Sequence, residues 1–318
     1  MSQCAVGIDL GGTDTKIGIV DENGDILLKK TISTKVENGK VNVINRISEC
    51  VNKMTEELHS KYPSMKLLGI GIGSPGQIDK ENGVVLFSPN FPDWKNFGVV
   101  PLVEERTKIN SYIENDANSF VLGEWAFGKH KGSNHIIGLT LGTGVGSGVI
   151  SHGQLITGYN GYASELGHMI IDSNGPICGC GSHGCVEAFA SATAMIKYAN
   201  ESRKRFPDSL IFESDRINAK TIIEAAKDND ELATMIFRRL VKALAIATGN
   251  FIHIFNPEVI IFGGGISRAG SFLLNAIKDE YRKYTMISFQ ETAAIELSNL
   301  VEDAAIKGAS SIVFYRLS

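Results

Sequence analysis

Three cysteines and a histidine fall in one glycine-rich stretch, and their types and spacing are those of a metal site. The stretch runs Glu165-Leu166-Gly167-His168, then Cys178-Gly179-Cys180-Gly181-Ser182-His183-Gly184-Cys185-Val186-Glu187. Three thiolates and one imidazole make a complete tetrahedral zinc set. With His168, Cys178, Cys180 and Cys185 filling every position, no place is left for water. A zinc ion here is therefore structural and pins the loops that carry Glu165 and Glu187. His183 is the alternative fourth ligand; it sits inside the tight cysteine loop, where it is expected to point outward. Cys4 and Cys50 lie far from this cluster.

Two glycine turns have the makings of phosphate sites. Asp9-Leu10-Gly11-Gly12-Thr13-Asp14-Thr15-Lys16 places an acid at a strand end, then two glycines and a threonine. Glycine lets backbone N–H groups approach phosphate oxygens with no Cβ in the way. Asp9 is placed to hold Mg²⁺, through water, and Lys16 adds positive charge. Leu141-Gly142-Thr143-Gly144-Val145-Gly146 is the second turn. A dinucleotide-binding fingerprint would need a helix after the glycines, whereas a β-hairpin follows here. Neither turn is a P-loop, because no Gly-Lys-Ser/Thr opens a helix. Two such hairpins suit a phosphate chain held from both sides. Gly263-Gly264-Gly265-Ile266-Ser267 follows a short β-branched strand; it is either a close-approach surface for a flat ligand such as adenosine or an ordinary strand-to-helix turn.

Glu114-Asn115-Asp116-Ala117-Asn118 places an acid, flanked by amides, at a strand-to-helix junction. Asp116 can accept a hydroxyl proton during phosphoryl transfer. The same residue type is a preferred helix N-cap, and the two roles are compatible. Asn90 and Trp94 offer a hydrogen bond and a stacking face for a sugar, or else ordinary loop packing.

The elements that would position these residues are legible in outline. Residues 4–34 read as a three-strand meander closed by Asn23-Gly24, whose positive φ angles suit a two-residue hairpin. Val41, Ile44, Ile47, Val51, Met54 and Leu58 recur at helical steps, and a strand over 67–73 leads into Ser74-Pro75-Gly76. Two further strands and a helix carry the chain to Asn115. A second meander over 136–157 repeats the opening plan, Gly-Thr turn included, which predicts a duplicated domain. Helices are expected over 187–206, 219–255 and 303–314, with a strand over 258–262.

The bulk properties exclude some classes of function. Across 318 residues, 43% hydrophobic content supports a large core and two domains. Lys+Arg 31 against Asp+Glu 35 leaves no basic surplus, which weighs against nucleic acid as a partner. No stretch approaches the roughly 18 unbroken apolar residues of a membrane helix. The opening Met1-Ser2-Gln3-Cys4 lacks the basic region of a signal peptide. A cytoplasmic protein is expected.

Together these motifs resemble the ROK family of bacterial sugar kinases and repressors, from Asp9 to the terminal helix. The resemblance implies an α/β, actin-like ATPase fold of two RNase H-like domains flanking a cleft for ATP and sugar. It implies a smaller domain of residues 1–117 plus 302–318, and a larger one of 118–301 carrying the zinc loop. Asp116 then matches the catalytic aspartate. Gly73, Pro75, Gly76, Asn90, Asn115, Glu165, His168 and Glu187 match the sugar pocket, with His168 also binding zinc. Asp9, Gly11, Gly12, Thr13 and Lys16, with Gly142, Thr143 and Gly144, match the phosphate loops. Gly264 and Gly265 match the adenosine side. Ser164 departs from the family, which usually has Gly before the Glu.

The implied activity is phosphorylation of glucose at the 6-hydroxyl with ATP, Mg²⁺ and a structural Zn²⁺. N-acetylglucosamine, N-acetylmannosamine and fructose are alternative acceptors, and a homodimer is implied. A sugar-sensing repressor is the remote alternative. Family repressors carry an N-terminal DNA-binding module, for which a first strand starting by Cys4 leaves no room.

Overall fold

Near-continuous apolar runs make the first strands central ones, buried on both faces. β1 (Gln3–Leu10), β2 (Asp14–Asp21) and β3 (Ile26–Ser33) form the expected antiparallel meander, with β3 as its half-exposed edge. Helix α1 (Lys40–Lys61) buries Ile44, Ile47, Val51, Met54 and Leu58, while Val41, part of the same periodic pattern, stays exposed at the first turn. β4 (Lys66–Ser74) returns parallel to β1. β5 (Gln77–Asp79), β6 (Val84–Phe87) and β7 (Lys95–Gly98) then form a small antiparallel sheet. After α2 (Val99–Thr107), β8 (Ser111–Asn115) adds to β4 in parallel and runs directly into α3 (Asp116–Phe127). The sheet order is β3-β2-β1-β4-β8.

The structure, a computed structural model, describes residues 2–88, 90–300 and 303–317. Its chain divides into two compact units. The first comprises Met1–Ser133, Leu155–Ser164 and Asn299–Ser318; the second comprises Asn134–Gln154 and Glu165–Ser298. The resemblance placed a domain boundary at 117, but α3 lies inside the first unit. There it packs on the C-terminal helix Ala304–Leu317, with Trp125 against Tyr315 and Phe127 against Phe314, both edge-on at 5.8 Å. The other expected boundary, at 301/302, lies outside the described residues. The C-terminal helix also lies on β1 and β4. A Cβ added at Gly7 would stand 2.2 Å from the Ile306 carbonyl oxygen, and one at Gly71 1.9 Å from that of Ala309. Glycine in mid-strand thus marks a close backbone approach.

The second unit repeats the plan. β9 (Ile136–Leu141), β10 (Val145–Ser151) and the short β11 (Gln154–Leu155), whose last residue is counted with the first unit, form its meander. Next come α4 (Glu187–Ala190), α5 (Ala192–Ser202), α6 (Ala219–Lys227) and α7 (Glu231–Phe255). β12 (Val259–Gly263), α8 (Ser271–Glu280) and β13 (Ala294–Leu297) complete the unit. Its order, β11-β10-β9-β12-β13, matches that of the first sheet, with β10 antiparallel to β9 on one side and β12 and β13 parallel to it on the other.

The single helical run expected over 219–255 is broken at Asp228-Asn229-Asp230. Asn229 takes a positive φ of 62°, and Asp230 caps α7 by accepting the Ala233 N–H. Likewise 187–206 divides at Ser191, the N-cap of α5. Glu258 precedes its strand; its carboxylate accepts the N–H groups of Asn134 and His135 instead.

Candidate active site

The first unit gathers its candidate residues at the carboxyl ends of three adjacent strands, where open α/β sheets bind ligands. Asp9 on β1 pairs with Gly73 on β4, which pairs with Glu114 on β8; Ser74 pairs with Asn115. Two strand spacings put Asp9 and Glu114 about 10 Å apart. Asn90 joins this group, because a Cβ on Gly12 would touch its Cβ at 3.4 Å. Lys16, opposite Asp9 in the hairpin, brings its ammonium to 3.9 Å from the Asp9 carboxylate. Burial pushes the Asp9 carboxyl above its ordinary range, and Lys16 only partly offsets this.

Asn115 rather than Asp116 is the N-cap of α3. Its Oδ1 accepts the Ala117 N–H at 2.9 Å, and its Nδ2 donates to the Gly76 carbonyl at 3.1 Å. One amide thus fixes both the helix start and the turn after Pro75, where Gly76 has φ +106°. Asp116 is the first helical residue, exposed, with one carboxylate oxygen accepting the Ala117 N–H.

Glu114, to which the motif alone assigns no role, is buried beneath this junction. Its Oε1 accepts the Asn115 N–H at 3.0 Å and the Asn118 amide at 3.1 Å. Its proximity to Asp116 was the available signal. Trp94 is no stacking face for a ligand. It is 1% exposed and stacked on Phe91 at 4.3 Å, so packing accounts for it.

In the second unit the turn after β9 and the cysteine loop meet at Glu187, the first residue of α4. Its Oε2 accepts the Val145 N–H at 3.0 Å, and its Oε1 lies 3.3 Å from the Cys178 sulfur. Gly264, at φ +85°, lies flush against Leu141; a Cβ there would stand 2.5 Å from the Leu141 carbonyl oxygen. Its neighbour Gly265 has open space where a Cβ would be. The Gly264-Gly265 segment is thereby brought beside the Gly142 turn. Gly167, before His168, packs on Val145. Desolvation pushes the Glu165 carboxyl up; His168 opposes this and Glu187 adds to it.

The ligand atoms of His168, Cys178, Cys180 and Cys185 all lie within 4.8 Å of one another. The Cys180 and Cys185 sulfurs are 3.7 Å apart, as are the Cys178 sulfur and the His168 Nδ1. A tetrahedron with Zn–S bonds of about 2.3 Å has S···S edges of about 3.8 Å. The four donors therefore fit a structural zinc ion. Nδ1 of His168 faces the thiols, which leaves Nε2 for another partner. His183 is exposed, its Nδ1 3.3 Å from the Gly175 carbonyl oxygen, and takes no part in the cluster. The Ser182 backbone N–H draws the Cys180 thiol down to about 7.

Two sheets of one plan, each with a glycine turn after its first strand, define the actin-like ATPase fold. The chain belongs to the ROK family, whose sequence profile matches residues 5–315. It is 48% identical to a glucokinase of Thermotoga maritima over 98% of each chain. A xylose repressor of Bacillus spizizenii is 33% identical over 97% of this chain and 76% of its own length. The crystal structure of a ROK family glucokinase from Streptomyces griseus, in complex with glucose and AMPPNP, superposes with a TM-score of 0.78. It is 31% identical and matched over 97% of this chain and 98% of its own.

Proposed function

We propose that this protein transfers the γ-phosphoryl group of ATP to the 6-hydroxyl of glucose. The observation that carries the reading is the 48% identity to a glucokinase over 98% of the chain. The local geometry agrees, with an exposed Asp116 carboxylate held at the head of α3 by the Asn115 cap.

Phosphoryl transfer asks for positioning and electrostatics more than covalent chemistry from the protein. Asp116 orients the 6-hydroxyl and takes its proton as the bond to phosphorus forms. Gly73, Pro75, Gly76, Asn90 and Asn115, with Glu165, Glu187 and the Nε2 side of His168, hold the sugar hydroxyls. Backbone N–H groups of Gly11 to Thr13 and of Thr143 and Gly144, helped by Lys16, meet the phosphate oxygens. Gly264 and Gly265 admit the adenosine. A Mg²⁺ ion, held through water by Asp9, would supply further neutralisation of the β- and γ-phosphates. Zinc on His168, Cys178, Cys180 and Cys185 has a structural role, fixing Glu165 and Glu187. A cytoplasmic homodimer belongs to the same reading, supported by the family resemblance.

The test is an ADP-release assay with Mg-ATP across glucose, N-acetylglucosamine, N-acetylmannosamine, fructose and mannose. Glucose should be turned over fastest, and Asp116→Asn should lower kcat by roughly 10²–10⁴-fold with glucose KM little changed. Preference for another sugar would reassign the acceptor. Near-normal kcat in Asp116→Asn would remove the aspartate from its role.

A further inference from the structure

The turn between β9 and β10 has its backbone polar groups almost fully committed. Gly142 N–H donates to the Gly144 carbonyl at 3.0 Å, and Val145 N–H to Glu187. The Gly142 carbonyl accepts from Ala192 N–H at 2.8 Å, and the Thr143 carbonyl accepts from the Thr193 hydroxyl at 2.8 Å. Both of these donors belong to the first turn of α5, which Ser191 caps. Among the described residues, only the N–H groups of Thr143 and Gly144 are left in this turn with no protein acceptor.

A trans peptide is planar, with its C=O and N–H pointing in opposite directions. Pinning the Gly142 carbonyl to α5 therefore aims the Thr143 N–H away from α5. Pinning the Thr143 carbonyl does the same for the Gly144 N–H. The second of these peptide units adjoins glycine, which resists rotation least. If it turned over, a carbonyl oxygen would replace an N–H on the outward face and repel an anion.

We infer that Thr193 is a positioning residue that locks the Thr143–Gly144 peptide with its N–H outward, making the turn a donor-only surface for phosphate oxygens. The backbone bond from Ala192 cannot be removed by a side-chain change, so the hydroxyl of Thr193 is the adjustable half of the lock. This inference rests on the kinase reading above and adds a residue that lies 50 positions from the turn it holds.

The test compares the full-length zinc-loaded protein with Thr193→Val and Thr193→Ser. Thr193→Val keeps the shape and removes the donor. It should weaken MgADP binding by calorimetry, and raise KM for Mg-ATP, about fivefold, the equivalent of one exposed hydrogen bond. Inhibition by adenosine, KM for glucose and zinc content should stay at wild-type values, and Thr193→Ser should restore MgADP affinity. Wild-type MgADP affinity in Thr193→Val would overturn the inference. So would equal weakening of adenosine, or failure of serine to rescue. A wild-type protein that neither binds MgADP nor turns over any sugar would overturn the kinase reading itself, and this inference with it.

Discussion

Glu187 joins Val145 to the cysteine loop: one carboxylate oxygen accepts the Val145 N–H at 3.0 Å while the other touches the Cys178 sulfur at 3.3 Å. A single side chain therefore couples the order of the cysteine loop to the shape of a glycine turn. Loss of the metal should be felt at the turn as well as in stability. Cys178→Ser is expected to release zinc, measured with a chromogenic chelator, and to lower Tm by about 5–10 °C. Glucose KM should rise with it. A metal-free variant of unchanged Tm and KM would deny the coupling.

Two glycines should respond in opposite ways to alanine. At Gly71 a Cβ would lie 1.9 Å from the Ala309 carbonyl oxygen, a backbone atom that cannot yield. Gly71→Ala should cost at least about 3 kcal/mol of folding stability in urea titration. At Gly144 the obstacle is the Glu187 carboxylate, 2.4 Å away at the end of a flexible side chain. Gly144→Ala should fold with near-normal stability yet lose about tenfold to a hundredfold in turnover, because the carboxylate is displaced from the Val145 N–H.

Ser164 takes φ +68°, a left-handed conformation that L-residues other than Asn and Asp seldom adopt. This explains physically why glycine suits the position. The serine here donates from Oγ to the Ile156 carbonyl at 3.0 Å, which offsets part of the strain. Ser164→Gly should leave stability within about 0.5 kcal/mol of wild type, relieved strain balancing the lost bond. Ser164→Val, which keeps the strain and loses the bond, should cost about 2 kcal/mol. Urea midpoints of the two variants check both figures.

Asp9 should trade stability for function. Burial raises its folded pKa above the ordinary value of 3.8. The unfolded chain therefore gives up this proton first as pH rises. The cost to the fold is absent below the unfolded pKa, grows between the two values, and is complete above the folded one. Asp9→Asn should accordingly be more stable than wild type at pH 7, with the gain shrinking toward pH 4. Its turnover with Mg-ATP should be severely reduced. Denaturant melts at the two pH values give the sign directly. A variant less stable at pH 7 would mean that Lys16 outweighs burial.

Much of this protein is written locally. Alternation and helical periodicity placed the two meanders, α1 and the C-terminal helix. Gly-Thr after the first strand of each meander announced the duplication that the two matching strand orders display. The cysteine spacing by itself marked three members of the Cys/His cluster that fits a zinc ion, because chelation by a short loop is a local property.

What depended on the tertiary structure was every relation between distant segments. Register across β1, β4 and β8 set Asp9, Gly73 and Glu114 side by side. Packing drew Trp94 into the core, since aromatic type alone does not tell a ligand platform from a filler. Folding of the loop turned His168, and not His183, toward the thiols. The bond from Thr193 to the Thr143 carbonyl lay beyond any motif. A backbone carbonyl carries no sequence signature, and its partner is chosen only when a helix start is packed against it.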